Sequence, residues 1–253
     1  MTSMQIESEK LHQVMRQGRT ISAQIGAIEK LDEPTWILGF PDFPSFRGLI
    51  PLSAAGVDEP LAYAMIGQQV QVVIKGIDGS IIACSRQEAV EKVQEQVIAV
   101  IKQDDILPVT VVGVVTREKR PVLVVDVGQG VLAEIPRSKA ATKYTVPLRQ
   151  QYRPGQIVPV KVLTTDPVTL SVRDGRPDPW TLADFRRGSI ISGTVYQVQD
   201  QHVFVEPDLC MGILGLAPVP LMGDVARGMR ITAKVRYFSP EERKLHLWLV
   251  NTI

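Results

Sequence analysis

The strongest constraint on this 253-residue chain is that it repeats itself three times. A Gly-x-aliphatic unit stands at Gly26-Ala27-Ile28, Gly113-Val114-Val115 and Gly193-Thr194-Val195. Each glycine is followed 23 to 25 residues later by a proline that closes an apolar tetrapeptide: GLIP to Pro51, AEIP to Pro136 and GLAP to Pro218. A glycine then opens a further strand-like run, GQQVQV at Gly67, GQIVPV at Gly155 and GMRITA at Gly228. Each copy closes on a short apolar run: IIACSR to Arg86, VTLSVR to Arg173 and KLHLWLV to Val250. A repeated unit of this length is one supersecondary module, and about five short strands per module suit a small barrel. An α/β enzyme fold, which needs alternating helices, is excluded.

The expected fold class is therefore all-β: three tandem five-stranded barrels with a helical linker. The boundaries follow from the repeats. An N-terminal helical segment covers 1–19, the first repeat 20–86, a linker helix 87–105, the second repeat 106–173, a Gly/Pro linker 174–186 and the third repeat 187–253. The helical reading of 87–103 rests on Val90, Val93, Val97 and Ile101 at helical spacing, with Glu88 and Lys92 as an i,i+4 pair.

The overall charge is only +1, but it is unevenly spread. Residues 1–105 carry 9 basic and 14 acidic side chains, residues 106–178 carry 11 and 6, and residues 179–253 carry 8 and 7. A basic middle third is where an anionic partner would be drawn. The two cysteines, Cys84 and Cys210, are too few for a disulfide framework, and the three histidines stand at no metal-ligand spacing. The first twenty residues are too charged for a signal peptide. The charge-free stretch Leu209–Gly223 is shorter than the ~20 residues a membrane-spanning helix needs. A soluble, cytoplasmic, non-enzymatic protein without cofactor or membrane partner is the expectation. Gly128-Gln129-Gly130-Val131-Leu132-Ala133 spells a dinucleotide fingerprint, yet it runs on into Glu134-Ile135-Pro136 where a helix would have to begin, so a hairpin turn is the better reading.

Each copy resembles the S-one RNA-binding repeat, a five-stranded oligonucleotide-binding barrel named after a ribosomal protein, so the resemblance implies three tandem five-stranded OB-fold barrels. LVVDVGQGVLAEIPRS at Leu123 to Ser138 and GLIPLS at Gly48 to Ser53 carry the likeness, which extends over 20–86, 108–173 and 187–250. The resemblance implies that single-stranded RNA lies on strands two and three, with aromatic rings under the bases and a basic residue at the end of strand five. It points to Trp36 in the first repeat, His202 and Phe204 in the third, and Arg86 and Arg173 at strand ends. Charge in the second repeat adds Arg117, Lys119 and Arg120 at a turn, then Arg137, Lys139 and Lys143 with Tyr144 and Tyr152 interleaved. These would form a phosphate-tracking groove centred on the second repeat. Messenger or ribosomal RNA in the bacterial cytoplasm, with a link to translation or RNA metabolism, is the implied partner. The alternative is a docking scaffold whose barrels bind a ribosomal or polymerase subunit, with Leu209–Gly223 as the docking patch.

Overall fold

The computed structural model describes residues 3–210, 212–220 and 224–252. The chain divides into two compact units, residues 1–136 with 152–170, and residues 137–151 with 171–253.

In the first unit, helix α1 (Ser3–Arg16) precedes β1 (Thr20–Lys30), β2 (Pro34–Gly39), β3 (Arg47–Pro51), two short helices α2 (Leu52–Ala55) and α3 (Glu59–Ala64), β4 (Gln69–Asp78) and β5 (Ile81–Ser85). These strands close into a barrel in the order β1-β2-β3-β5-β4, with β3 and β5 parallel. Trp36, Leu38, Ile50, Val72 and Ile82 fill it. Helix α4 (Gln87–Val100) follows, then β6 (Ile106–Arg117), β7 (Arg120–Gly128) and β8 (Val131–Pro136). After short helices α5 (Arg137–Ala140) and α6 (Leu148–Gln151) come β9 (Ile157–Thr165) and β10 (Val168–Ser171). This second sheet runs β10-β9-β6-β7-β8 and stays open between β8 and β10, so the middle repeat is an incomplete barrel. The residue that is Gly48 in the first copy and Gly215 in the third is Ala133 here. In the third copy a Cβ at that position would lie 2.5 Å from Leu247 on the parallel strand.

The third barrel contains α7 (Pro179–Leu182), β11 (Ile190–Gln199), β12 (His202–Pro207), β13 (Gly215–Pro218), β14 (Arg230–Ser239) and β15 (Lys244–Thr252). Its strands close as β11-β12-β13-β15-β14, the same order as the first barrel. Trp180 stacks on Phe238 and Phe185 meets the same ring edge-on, sealing one end. A closed 1-2-3-5-4 order with strands three and five parallel is the topology of an oligonucleotide-binding barrel.

The repeats register on hydrogen bonds rather than on their first glycines. Gly67, Gly155 and Gly228 all have φ between 79° and 87°. Their N–H groups donate to Ile25, Val111 and Val195 respectively, so these three residues are equivalent. In each copy the next residue bulges out of the strand: Gly26, Val112 and Tyr196. Gly26, Gly113 and Gly193 are therefore not equivalent to one another, because each stands at a different distance from the bulge that absorbs the offset.

The helix expected as a linker is packed within the first unit. Val97 and Ala89 of α4 are buried, and Val90 lies beside the β7–β8 turn. That turn is the GQGVLA segment, a hairpin in which Asp126 accepts the N–H groups of Gly128 at 2.7 Å and Gly130 at 3.2 Å. Val112, Val115 and Val124 of the second repeat belong to the hydrophobic cluster of the first. Gln68 Nε2 donates to Ala64 O and Val112 O, both at 2.8 Å, across the same junction. Barrels one and two thus share a core. Among the described residues no helix is long and apolar enough to cross a membrane. Of Leu209–Gly223, Met211 and Leu221–Gly223 lie outside the described residues. Within the remainder Ile213 and Ala217 are buried, and Gly215–Pro218 is simply β13.

Candidate nucleic-acid interface

Strand pairing in the third barrel aligns one row of side chains across four neighbouring strands. Phe204 on β12 pairs with Leu216 on β13, Leu216 with His246 on β15, and His246 with Tyr237 on β14. At 4.7–4.9 Å between strands, this row is about 15 Å long. Alternation sets the outward face: Val203 and Val205 are buried on either side of Phe204, as are Leu245 and Leu247 around His246. Tyr237 reaches the same face because of a bulge between Val235 and Tyr237, which leaves Arg236 and Tyr237 both exposed. The Tyr237 and His246 rings are 5.9 Å apart and tilted by 57°.

The row borders a surface concavity of about 610 Å³ lined by Arg187, His202, Leu216, Pro218, Arg236, Tyr237 and His246, among others, with no carboxylate in its lining. Arg236 lies 5.5 Å over the ring of Trp248, which is 54% exposed. Neither Arg187 nor Arg236 is in a salt bridge among the described residues. At the edge, Glu242 is held below the usual carboxylate range by Lys244 and by a hydrogen bond from Tyr237. The face thus combines flat apolar rings with cations free to meet an anion, the pairing that single-stranded nucleic acids require.

The other two repeats do not present this row. The residues equivalent to Phe204, Leu216, His246 and Tyr237 in the first barrel are Ile37, Leu49, Ala83 and Gly76, none of them a ring. In the second repeat Val122, Leu123, Val124 and Val125 are all buried in succession, so both faces of β7 are covered. The position of Leu216 is Glu134, which is held by Arg117.

Of the residues expected from sequence, His202 and Phe204 stand on this face, His202 exposed and Phe204 half-buried. Trp36 does not serve as a platform: it is fully buried, and its indole N–H donates to Ala62 O at 3.3 Å. Arg86 is also buried, donating to Ala55 O at 3.1 Å and Gly130 O at 2.6 Å. Burial pushes its guanidinium below its ordinary value, with Asp126 opposing the shift. Arg117 is spent between Glu134 and Asp58, whose carboxylates raise it above the usual guanidinium range. It therefore closes the seam between the first two barrels and offers no free charge to RNA.

Lys119 and Arg120 are exposed at the tip of the β6–β7 hairpin, where Glu118 and Lys119 both have positive φ, as a two-residue type I′ turn requires. Arg137, Lys139, Lys143 and Arg173 belong to the second unit. Arg137 donates to Tyr144 O at 2.9 Å and Arg173 lies 5.4 Å over the Tyr144 ring. The basic residues of the second repeat are therefore split between two compact units and form no single groove within either. Tyr152 is buried.

Sequence reading missed His246, Tyr237, Trp248, Arg236 and Arg187. The alternation in KLHLWLV carries His246 and Trp248 to one face and was a usable signal. Tyr237 depends on a bulge that alternation cannot reveal.

No family model and no curated protein matches the chain. Among solved structures, a multidomain protein with nucleic acid binding domains from Streptococcus pneumoniae TIGR4 is 12% identical, with 92% of this chain and 74% of that chain covered and a TM-score of 0.26. Drosophila Unr CSD456 is 11% identical, with 92% and 97% covered and a TM-score of 0.24.

Proposed function

We propose that this protein binds single-stranded RNA on the outer face of its third barrel, without catalysing a reaction. The observation that carries the reading is the Phe204–Leu216–His246–Tyr237 row, flanked by Arg187 and Arg236, which form no salt bridge among the described residues, beside a concavity whose described lining holds no carboxylate. Bases stack on the rings, each stack contributing about 1–3 kcal/mol whatever the base. The arginines meet phosphates and release counterions, which makes affinity salt-dependent. The sheet faces of the first two repeats, which are joined through a shared core, take no direct part in this binding. The S-one resemblance makes messenger and ribosomal RNA the classes to try first.

The test is fluorescence anisotropy of a labelled RNA of about 20 nucleotides, within the span one or more oligonucleotide-binding barrels cover, titrated at several salt concentrations. Phe204→Ala and His246→Ala are expected to weaken binding about 5- to 100-fold each. Lys119→Ala with Arg120→Ala should change it by less than about twofold, because neither residue belongs to the ring-bearing row or lines its concavity. Loss of binding in the Lys119/Arg120 variant with none in Phe204→Ala would overturn the assignment. A matched single-stranded DNA reports whether the 2′-hydroxyl is read.

A further inference from the structure

A single buried carboxylate ties a loop of the second repeat to the third barrel. Glu206 on β12 is 4% exposed. It accepts the backbone N–H groups of Tyr144 at 2.8 Å, Thr145 at 2.7 Å and Gly212 at 3.2 Å, and the Thr145 hydroxyl at 2.7 Å. Gln151 braces the loop from within, accepting from Thr142 and Lys143 and donating to the carbonyls of Lys143 and Val146. The loop conformation is thereby fixed, and so is the place of the Tyr144 ring.

That ring meets Tyr196 edge-on, with centroids 5.5 Å apart at 60°. Arg173 lies 5.4 Å over Tyr144, and Arg227 lies 5.9 Å over Tyr196. Tyr196 is the bulged residue of β11, between the pairs Val195–Val205 and Gln197–Phe204, so it stands on the strand beside Phe204. Tyr196 thus carries the rings onto β11, and Tyr144 carries them beyond the barrel's own strands. Arg137, Lys143, Arg173 and Arg227 surround them, and none of the four is in a salt bridge among the described residues. Glu206 forms no ion pair with them among the described residues, its oxygens being taken up by four neutral donors. The guanidinium–ring distances lie near the ~6 Å outer limit of a cation–π contact, and Arg173 also donates to Ser138 O at 3.1 Å. Bidentate charge-assisted bonds to phosphates are stronger than these contacts with neutral groups.

We propose that Tyr144 and Tyr196, with Arg173 and Arg227, form a second station for the same single strand, built jointly by the second-repeat loop and the third barrel. This rests on the third-barrel reading above. Glu206 is its positioning residue. The second repeat thus contributes to binding through one loop, while its own sheet face is buried.

The test uses the full chain and two labelled oligouridylates, one of about 5 and one of about 12 nucleotides, bracketing the site size of one barrel. Tyr144→Ala keeps the backbone N–H that Glu206 holds. It should weaken the longer strand about 5- to 50-fold and leave the shorter one within about twofold. Tyr144→Phe should retain the affinity, and Glu206→Gln, which loosens the loop, should reproduce the length-selective loss. Equal loss on both lengths, or no loss on either, overturns the second station. Wild-type protein that binds neither strand overturns the third-barrel reading along with it. Binding that Phe204→Ala weakens and Tyr144→Ala does not leaves the barrel face standing and removes the second station alone.

Discussion

Arg86 separates the structural account from the sequence expectation most sharply. It directly follows the fifth strand of the first repeat, where the S-one resemblance would set a basic RNA contact. Its guanidinium is instead buried and donates to Ala55 O in the first repeat and Gly130 O in the second. Hydrogen bonds from a charged donor contribute about 1.5–3 kcal/mol each. Two of them, set against the dehydration of the cation, give a net loss of about 3 kcal/mol on Arg86→Ala, the lower end for breaking a buried charged contact. With a urea m-value of about 2 kcal/mol per molar, the midpoint for the first unit should fall by about 1.5 M. Arg86→Lys should recover only part of this, since a single ammonium replaces a fork that spans two carbonyls. RNA affinity of the folded Arg86→Ala protein should stay within about twofold of wild type, because the buried guanidinium is spent on Ala55 O and Gly130 O and offers no charge to a phosphate. Urea unfolding followed by tryptophan fluorescence reads the first quantity, helped by the fully buried Trp36 in the same unit. An unchanged midpoint with weakened RNA binding would falsify the structural role and restore the sequence expectation.

Three further outcomes follow from particular contacts. Arg236→Ala should lower the salt slope of RNA binding by about 0.7, the value for one phosphate on a single strand, and an unchanged slope would remove Arg236 from the path. Gly215→Ala sets a methyl 2.5 Å from Leu247 Cδ1 and should cost about 1–3 kcal/mol in thermal or urea unfolding, so a neutral result would contradict the close β13–β15 approach. Burial pushes the Cys84 thiol up to about 12, leaving about one thiolate in ten thousand at pH 8. Because this pKa is raised above its unfolded value, its contribution to stability is intact below about pH 9 and is lost as pH rises toward 12. A thiol reagent should accordingly modify the less buried Cys210 first, and Cys84 only on unfolding; early modification of Cys84 would contradict the packing.

The barrel repeat was legible because its markers answer to local geometry. Gly67, Gly155 and Gly228 mark a left-handed turn in every copy, and the GLIP, AEIP and GLAP segments occupy equivalent register. The opening glycines misled because a bulge can shift a strand without leaving a sequence signature. His202 and Phe204 were readable from alternation in HVFVEP, whereas PTWILG has no alternation to show that Trp36 faces inward. Arg86 and Arg173 both close the last apolar run of their repeat, yet they are not equivalent. The N–H groups that bond to Ala54 O and Lys139 O make Arg86 the equivalent of Val172, which is also buried, and leave Arg173 one residue further on and exposed. The buried guanidinium of Arg86 is met by Gly130 O, a partner 44 residues away that no local pattern announces. Charge counting failed for a related reason: Arg117 is committed to Asp58, 59 residues distant, and to Glu134. The openness of the middle sheet also depends on a strand pairing, β8 with β10, that the repeat pattern implied and the structure lacks.

Ultraviolet cross-linking of the full-length protein to a uridine-rich single-stranded RNA, with the attached residues mapped by mass spectrometry, tests the central claim most directly. The account places adducts on Phe204, Tyr237, His246 and Trp248, whose rings stand exposed or half-buried on one face of the third barrel. Adducts concentrated on the β6–β7 hairpin around Lys119, or none on the third barrel, would contradict it.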